Sequence, residues 1–133
     1  MRVLVVYGTR WGTTAEYAKV IADVFCDEFG FKTTLADLKK WKGELDDYDG
    51  VVLGTSIVIG RWTFRAWRFS QRDFKSIPVA VFVSSMQAGE ENGEAAAVED
   101  YIMSKIKGSM KKNMISARAF GGVITRFGHC LLY

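Results

Sequence analysis

Three largely apolar runs punctuate this chain, at 3–7, 50–56 and 78–84, and a last strand is read over 115–124. A run that is apolar without alternation suits a strand covered on both faces. Between the runs the period changes. Ala15, Ala18, Ile21, Ala22 and Phe25 recur at helical spacing over 14–29, and Gly30 is a natural stop. Residues 61–73 and 93–107 also read as helices, the latter with Val98, Ile102 and Ile106 on one stripe. Residues 31–36 form a weaker strand, and 37–49 hold a helical turn and a loop. Strand, loop and helix in alternation imply an α/β fold with a parallel sheet. Five strands within 133 residues suit one doubly wound domain spanning 1–133, with strand order 2-1-3-4-5. Ligands of such sheets bind beyond the carboxyl ends of the strands, which directs attention to the loops 8–14, 54–60 and 84–93.

Composition removes several classes. Cys26 and Cys130 stand far apart in no C-x-x-C grouping and His129 is the single histidine, so neither a disulfide scaffold nor a zinc or other metal site is expected. No apolar run approaches the roughly 18 residues of a membrane span, and the N-terminus lacks a signal-peptide pattern. A cytoplasmic protein with at most peripheral membrane contact is expected. The net charge of +3 is too small to argue for nucleic acid.

The loop Gly8-Thr-Arg-Trp-Gly-Thr-Thr14 joins a buried strand to a helix. A helix N-terminus offers free N–H groups and the positive end of a dipole to a phosphate. Thr9, Thr13 and Thr14 add hydroxyls, and Arg10 adds charge. The same residues also suit an ordinary helix cap. G-x-x-x-x-G-K-[ST] and G-x-G-x-x-G are both absent, so neither a Walker-type NTPase nor a dinucleotide fold is indicated. The strands also lack the acidic ends of a phosphoacceptor domain. Asp37 stands where a ribose-binding acid would lie, a place where surface aspartates are common.

Thr9-Arg-Trp-Gly-Thr-Thr14 resembles the flavodoxin phosphate loop, [ST]-x-x-G-x-T, which binds the phosphate of FMN with hydroxyls and backbone amides. Gly54-Thr-Ser-Ile-Val-Ile-Gly60 with Arg61-Trp62 is similar to the G-x-S-I-x-x-G-x-[HYW] segment of the flavodoxin subfamily of menaquinone-dependent protoporphyrinogen oxidases. Ser84-Ser-Met-Gln-Ala-Gly89 matches in position the second flavin-flanking loop. The resemblance runs from Val3 to about Arg126. It implies an FMN site made of Thr9, Arg10, Trp11, Gly12, Thr13 and Thr14 at the phosphate. Thr55, Ser56, Ile57, Val58, Ile59 and Gly60 would flank the ring on one side, and Ser84, Ser85, Met86, Gln87 and Gly89 on the other. Gly54 and Gly60 would let the backbone approach the ring. No acid, base or nucleophile constellation accompanies these loops, so no catalytic residue is assigned and the chemistry would be the cofactor's.

Arg61, Arg65, Arg68 and Arg72 fall on one face if 61–73 is a single helix. Such a stripe is either a solvated face or a site for an anionic partner beside the flavin edge. Trp62, Ala66 and Phe69 then face the core, with Phe64 and Trp67 exposed. Two functions follow. One is an FMN oxidoreductase passing electrons from an anionic planar substrate to a quinone or similar acceptor. The other is a flavodoxin-type electron carrier serving a redox partner protein. Carriers of that type are usually acidic, and a basic helix leans against the second. A redox sensor is a third reading. The last strand ends near Ile124 with only nine residues after it, so the final helix of the fold is expected to be missing. Either the chain is shortened from a longer one or a homodimer covers the gap.

Overall fold

The first apolar run becomes the central strand β1 (Arg2–Gly8), with Val3, Leu4, Val5 and Val6 at most 4% exposed. The computed structural model describes residues 1–10, 12–58, 60–85 and 93–121. Around β1 the chain places α1 (Thr13–Phe29), β2 (Lys32–Asp37), a 3-10 turn (Leu45–Asp47) and β3 (Gly50–Val58). Then come β4 (Arg61–Trp62), α2 (Phe64–Ser70), β5 (Val79–Ser85), α3 (Gly93–Val98) with a π-helical continuation (Glu99–Met103), α4 (Gly108–Asn113) and β6 (Met114–Gly121).

The five long strands are parallel and lie in the order β2-β1-β3-β5-β6, the doubly wound order expected from the sequence. The expected count of five is corrected to six. β4 is an extra two-residue strand paired antiparallel with the end of β3, Ile57 opposite Trp62 and Val58 opposite Arg61. Gly60, at φ +73°, supplies the left-handed residue that this tight reversal requires. β3 therefore runs to Val58 through residues read as loop, and Arg61 and Trp62 are strand rather than helix. The helix expected over 61–73 is α2 alone.

Each sheet face has its own core, because strands apolar on both sides need two covers. Tyr17, Ala18 and Ala22 of α1 pack on Val3, Val5, Val52 and Phe82. On the opposite face Leu4, Val6, Leu53 and Val81 meet Ala66 and Phe69 of α2, Phe74, Ala97 and Ile102 of the α3 layer, and Met110 of α4. Among the described residues α1 is the helix that packs on the first face. The segment 122–133, where the sequence offers no final helix, lies outside the described residues, as does the end of the last expected strand.

The helix expected over 93–107 is also corrected. Its hydrophobic stripe holds, with Ile102 and Ile106 buried, but the backbone changes from α to π geometry at Glu99. Gly108 at φ +67° starts α4, which the sequence pattern did not reveal.

Candidate functional site

The carboxyl ends of β1 and β3 meet at a cluster of hydroxyls. Gly8 is paired in register with Thr55, and Ser56 with Ser84. Gly8 must lack a side chain, since a Cβ there would lie 2.2 Å from Thr63 Oγ1. That close approach lets Thr63 lock the start of α2 onto β3. Its N–H donates to Thr55 Oγ1 at 3.2 Å, and the two hydroxyls are 3.2 Å apart. Thr55 is fully buried and its hydroxyl also donates to the Ser56 carbonyl at 3.1 Å.

Next to it, the Gly12 N–H donates to Thr9 Oγ1 at 2.9 Å, closing the turn before α1. Gly12 is the N-cap residue of α1 at φ +91°, a backbone that favours glycine. Without a side chain it cannot cap the helix. A 17-residue helix thus presents first-turn N–H groups with no side-chain oxygen from its own cap. Thr13 is half-buried beside them. Thr14 is fully buried, and its hydroxyl lies 2.6 Å from Ser56 Oγ, which donates to Thr9 Oγ1 at 3.5 Å. Thr9, Thr14 and Ser56 thus form one hydroxyl chain tying the α1 loop to β3. Thr14 positions the loop rather than lying open to solvent.

Of the other expected site residues, Ile57, Val58 and Ser84 are half-buried, Ser85 is buried at the end of β5, and Gly60 and Arg10 are exposed. Trp11, Ile59, Met86, Gln87 and Gly89 lie outside the described residues. Gly54 is a correction. A Cβ on it would sit 2.1 Å from Phe82 Cζ, so the space is filled by the Phe82 ring from the next strand and is not open to a flavin. Asp37 is occupied in a turn, its Oδ1 accepting the Lys39 N–H at 2.9 Å. Its charge, after burial, helps to raise the pKa of Tyr7 above the usual phenol value.

Beside the hydroxyl cluster lies a groove of about 660 Å³, within the range of ligand sites. Arg10, Lys39, Arg61, Arg65 and Arg68 line it, with Asp37 the one acid among its lining residues. The arginines expected as a helical stripe therefore do share a surface, but Arg61 reaches it from β4. Arg72, past the end of α2, lies over Trp41 at 5.0 Å and Phe69 at 5.5 Å and lines a neighbouring groove with Arg65 and Arg68. Lys39 and Thr63 were not singled out from sequence. From sequence Thr63 falls inside the helix read over 61–73, whereas in the structure its side chain makes no cap bond to α2 and reaches across to Thr55.

The sequence model of the flavodoxin domain family matches residues 4–126. The chain belongs to the flavodoxin domain family. Among solved structures, oxidised Flavodoxin 2 of Bacillus cereus superposes with a TM-score of 0.69 at 21% identity, covering 99% of this chain and 98% of that one. Rubredoxin oxygen:oxidoreductase of Desulfovibrio gigas gives 0.69 at 19% identity over 96% of this chain, which spans only 32% of the oxidoreductase. Fusobacterium nucleatum flavodoxin bound to flavin mononucleotide gives 0.56 at 15% identity, covering 96% of this chain and 80% of that one. At these identities the likeness is one of fold. Among curated proteins no sequence matches significantly.

The donor set fits the phosphate of FMN. The N-terminus of α1, with glycine at its cap position and no side-chain cap, lies beside the Thr9 hydroxyl, and the loop is held by the buried Thr14–Ser56 pair. Among the described residues no group of His, Cys, Asp and Glu is placed to hold a metal ion, and no helix is long and apolar enough to cross a membrane.

Proposed function

We propose that residues 1–133 form one FMN-binding redox domain, cytoplasmic, and that it acts as an oxidoreductase resembling the menaquinone-dependent protoporphyrinogen oxidases. The observation that carries the FMN assignment is the uncapped N-terminus of α1 beside Thr9, joined through Thr14 and Ser56 to the end of β3. Bound FMN would supply one- or two-electron chemistry. The chain's own residues would orient it. Thr9, Arg10, Gly12 and Thr13 would bind the phosphate, with Thr14 holding the loop. Thr55–Gly60 and the loop beginning at Ser84 and Ser85 would flank the ring, with Ile57 and Val58 offering apolar cover. Electrons would leave to a quinone or a similar acceptor.

A flavodoxin-type carrier is the second reading. The B. cereus flavodoxin, matched over nearly its whole length, favours it. The cation-lined groove favours the oxidoreductase, since carriers of the usual kind present acidic surfaces to basic partners.

Purified protein titrated with FMN and followed by flavin fluorescence tests the cofactor. Binding of one FMN per chain is expected, weakened at least about tenfold in Gly12→Val, which forces a side chain into a left-handed backbone. Equal affinity in wild type and variant would remove the phosphate loop from the proposal. Oxidation of the reduced protein by a quinone, and not by a protein acceptor alone, distinguishes oxidoreductase from carrier.

A further inference from the structure

We infer that α2 and its flanks form a docking surface for an acidic partner protein. The α2 helix is a ridge between open depressions. On one side is the groove of about 660 Å³ holding Arg61, Arg65 and Arg68. On another is a groove of about 530 Å³, lined by Arg65, Arg68 and Arg72 with Trp41 and Phe69 at its wall. A third of about 530 Å³ brings Arg61 and Lys105 beside Phe64 and Trp67. All four arginines are exposed, and none makes a salt bridge among the described residues. Their charge is therefore not neutralised within that part of the fold.

The crest carries apolar surface where a solvated helix would not. Phe64 is 68% exposed and Trp67 48%, with their rings 6.3 Å apart in a stacked pair. Exposed aromatics flanked by arginines have the composition of interface hot spots, where the rings anchor and the arginines pair. Arginine pairs with carboxylates through a bidentate fork, which favours Asp and Glu side chains entering the grooves. A small anion could engage only one groove at a time, whereas a protein face can meet all three depressions and the exposed aromatic pair together. A lipid surface is flat and would meet the crest while leaving the grooves unfilled.

The inference rests on the redox reading only in that the partner is taken to be a redox protein, and the flavin absorbance of each variant tests that reading separately. The probe is an acidic ferredoxin, with binding followed by interferometry on the FMN-loaded protein. At about 50 mM salt, Arg65→Glu/Arg68→Glu is expected to weaken binding by about tenfold or more, and the difference should vanish near about 1 M salt. Lys111→Glu/Lys112→Glu makes the same charge change on α4, which leads into the amino end of β6, and should stay within about threefold of wild type. Phe64→Ala/Trp67→Ala should weaken binding while flavin content holds. Equal loss in both charge reversals would reduce the effect to net charge and overturn the proposal. So would tighter binding of benzenetricarboxylate than of the ferredoxin. Binding to phosphatidylglycerol vesicles that depends on Phe64 and Trp67, with no ferredoxin binding, would assign the surface to a membrane instead.

Discussion

Gly54 lies opposite Phe82 on adjacent parallel strands, and the Phe82 ring occupies the space where a side chain would stand. In Gly54→Ala, the new Cβ would lie 2.1, 2.5 and 2.7 Å from three ring carbons. Those contacts are too short to survive, so the ring must move. Phe82 is 2% exposed and packs against Phe120 at 5.7 Å, which leaves it little room. Overpacking of this kind costs about 1–3 kcal/mol. Replacing a strand glycine by alanine returns about 0.5–1 kcal/mol of backbone entropy, so a net loss of up to about 2.5 kcal/mol, centred near 1, is expected.

Urea unfolding measures it. With an m-value of about 1–3 kcal/mol/M, the midpoint should fall by roughly 0.5–1 M. Phe82→Leu alone also destabilises, but it removes the ring atoms that collide. The double variant Gly54→Ala/Phe82→Leu should therefore be more stable than the sum of the single losses by about 1 kcal/mol or more. It should also bind FMN as the Phe82→Leu protein does, because the space at Gly54 belongs to the core. Strict additivity, or a gain in stability in Gly54→Ala, would refute the packing argument. Loss of FMN in the double variant alone would return Gly54 to the flavin site.

Two further outcomes are expected. Ser56→Ala strands the Thr14 hydroxyl in a fully buried position, costing about 1–3 kcal/mol in urea unfolding and weakening FMN, whereas Ser56→Thr should retain most of both. Glu94 accepts from Arg118 Nε at 2.6 Å, from its Nη2 at 3.2 Å and from the Ala119 N–H at 3.1 Å, which together pull its pKa below 4.5. Its folded pKa is depressed, so its contribution is present above 4.5 and lost as pH falls through the lower folded value. With side chains 39% and 52% exposed, solvent holds that contribution to at most about 1 kcal/mol. The stability gap between wild type and Glu94→Gln should be flat at neutral pH and close in acid, and a gap that widens in acid would contradict the linkage.

The sheet was legible because both-face burial leaves largely apolar runs at 3–7, 50–56 and 78–84, alternating with segments of helical period. The loop before α1 was legible because its hydroxyls and glycine are local. What escaped was set by partners distant in sequence. Gly54 looked like a ligand-approach glycine until Phe82, far along the chain, was placed beside it. Thr14 reads as one more phosphate hydroxyl, and its partner Ser56 lies 42 residues away. Helical periodicity placed Arg61 on the right face by the wrong element, because one left-handed residue at Gly60 turned the chain back as a strand.

The two unexpected backbone features, β4 and the π segment, meet through one bond. Trp62 of β4 donates its indole N–H to the Tyr101 carbonyl at 2.5 Å. In an α-helix that carbonyl would accept from Lys105. Here Lys105 donates instead to Ile102 at 3.1 Å, and Ser104 to Glu99 at 3.2 Å in the wider π pattern. The bulge thus presents a carbonyl to the tryptophan, and the tryptophan gives the bulge a partner. Trp62→Phe keeps most of the apolar contact and removes only the donor. It should destabilise by about 1–2 kcal/mol through the unpaired carbonyl. Amide exchange should quicken at Ser104 and Lys105 more than at α1, because the loss is local. If exchange there is unchanged, the π geometry is fixed by the helix's own sequence, and Trp62 is held by packing alone.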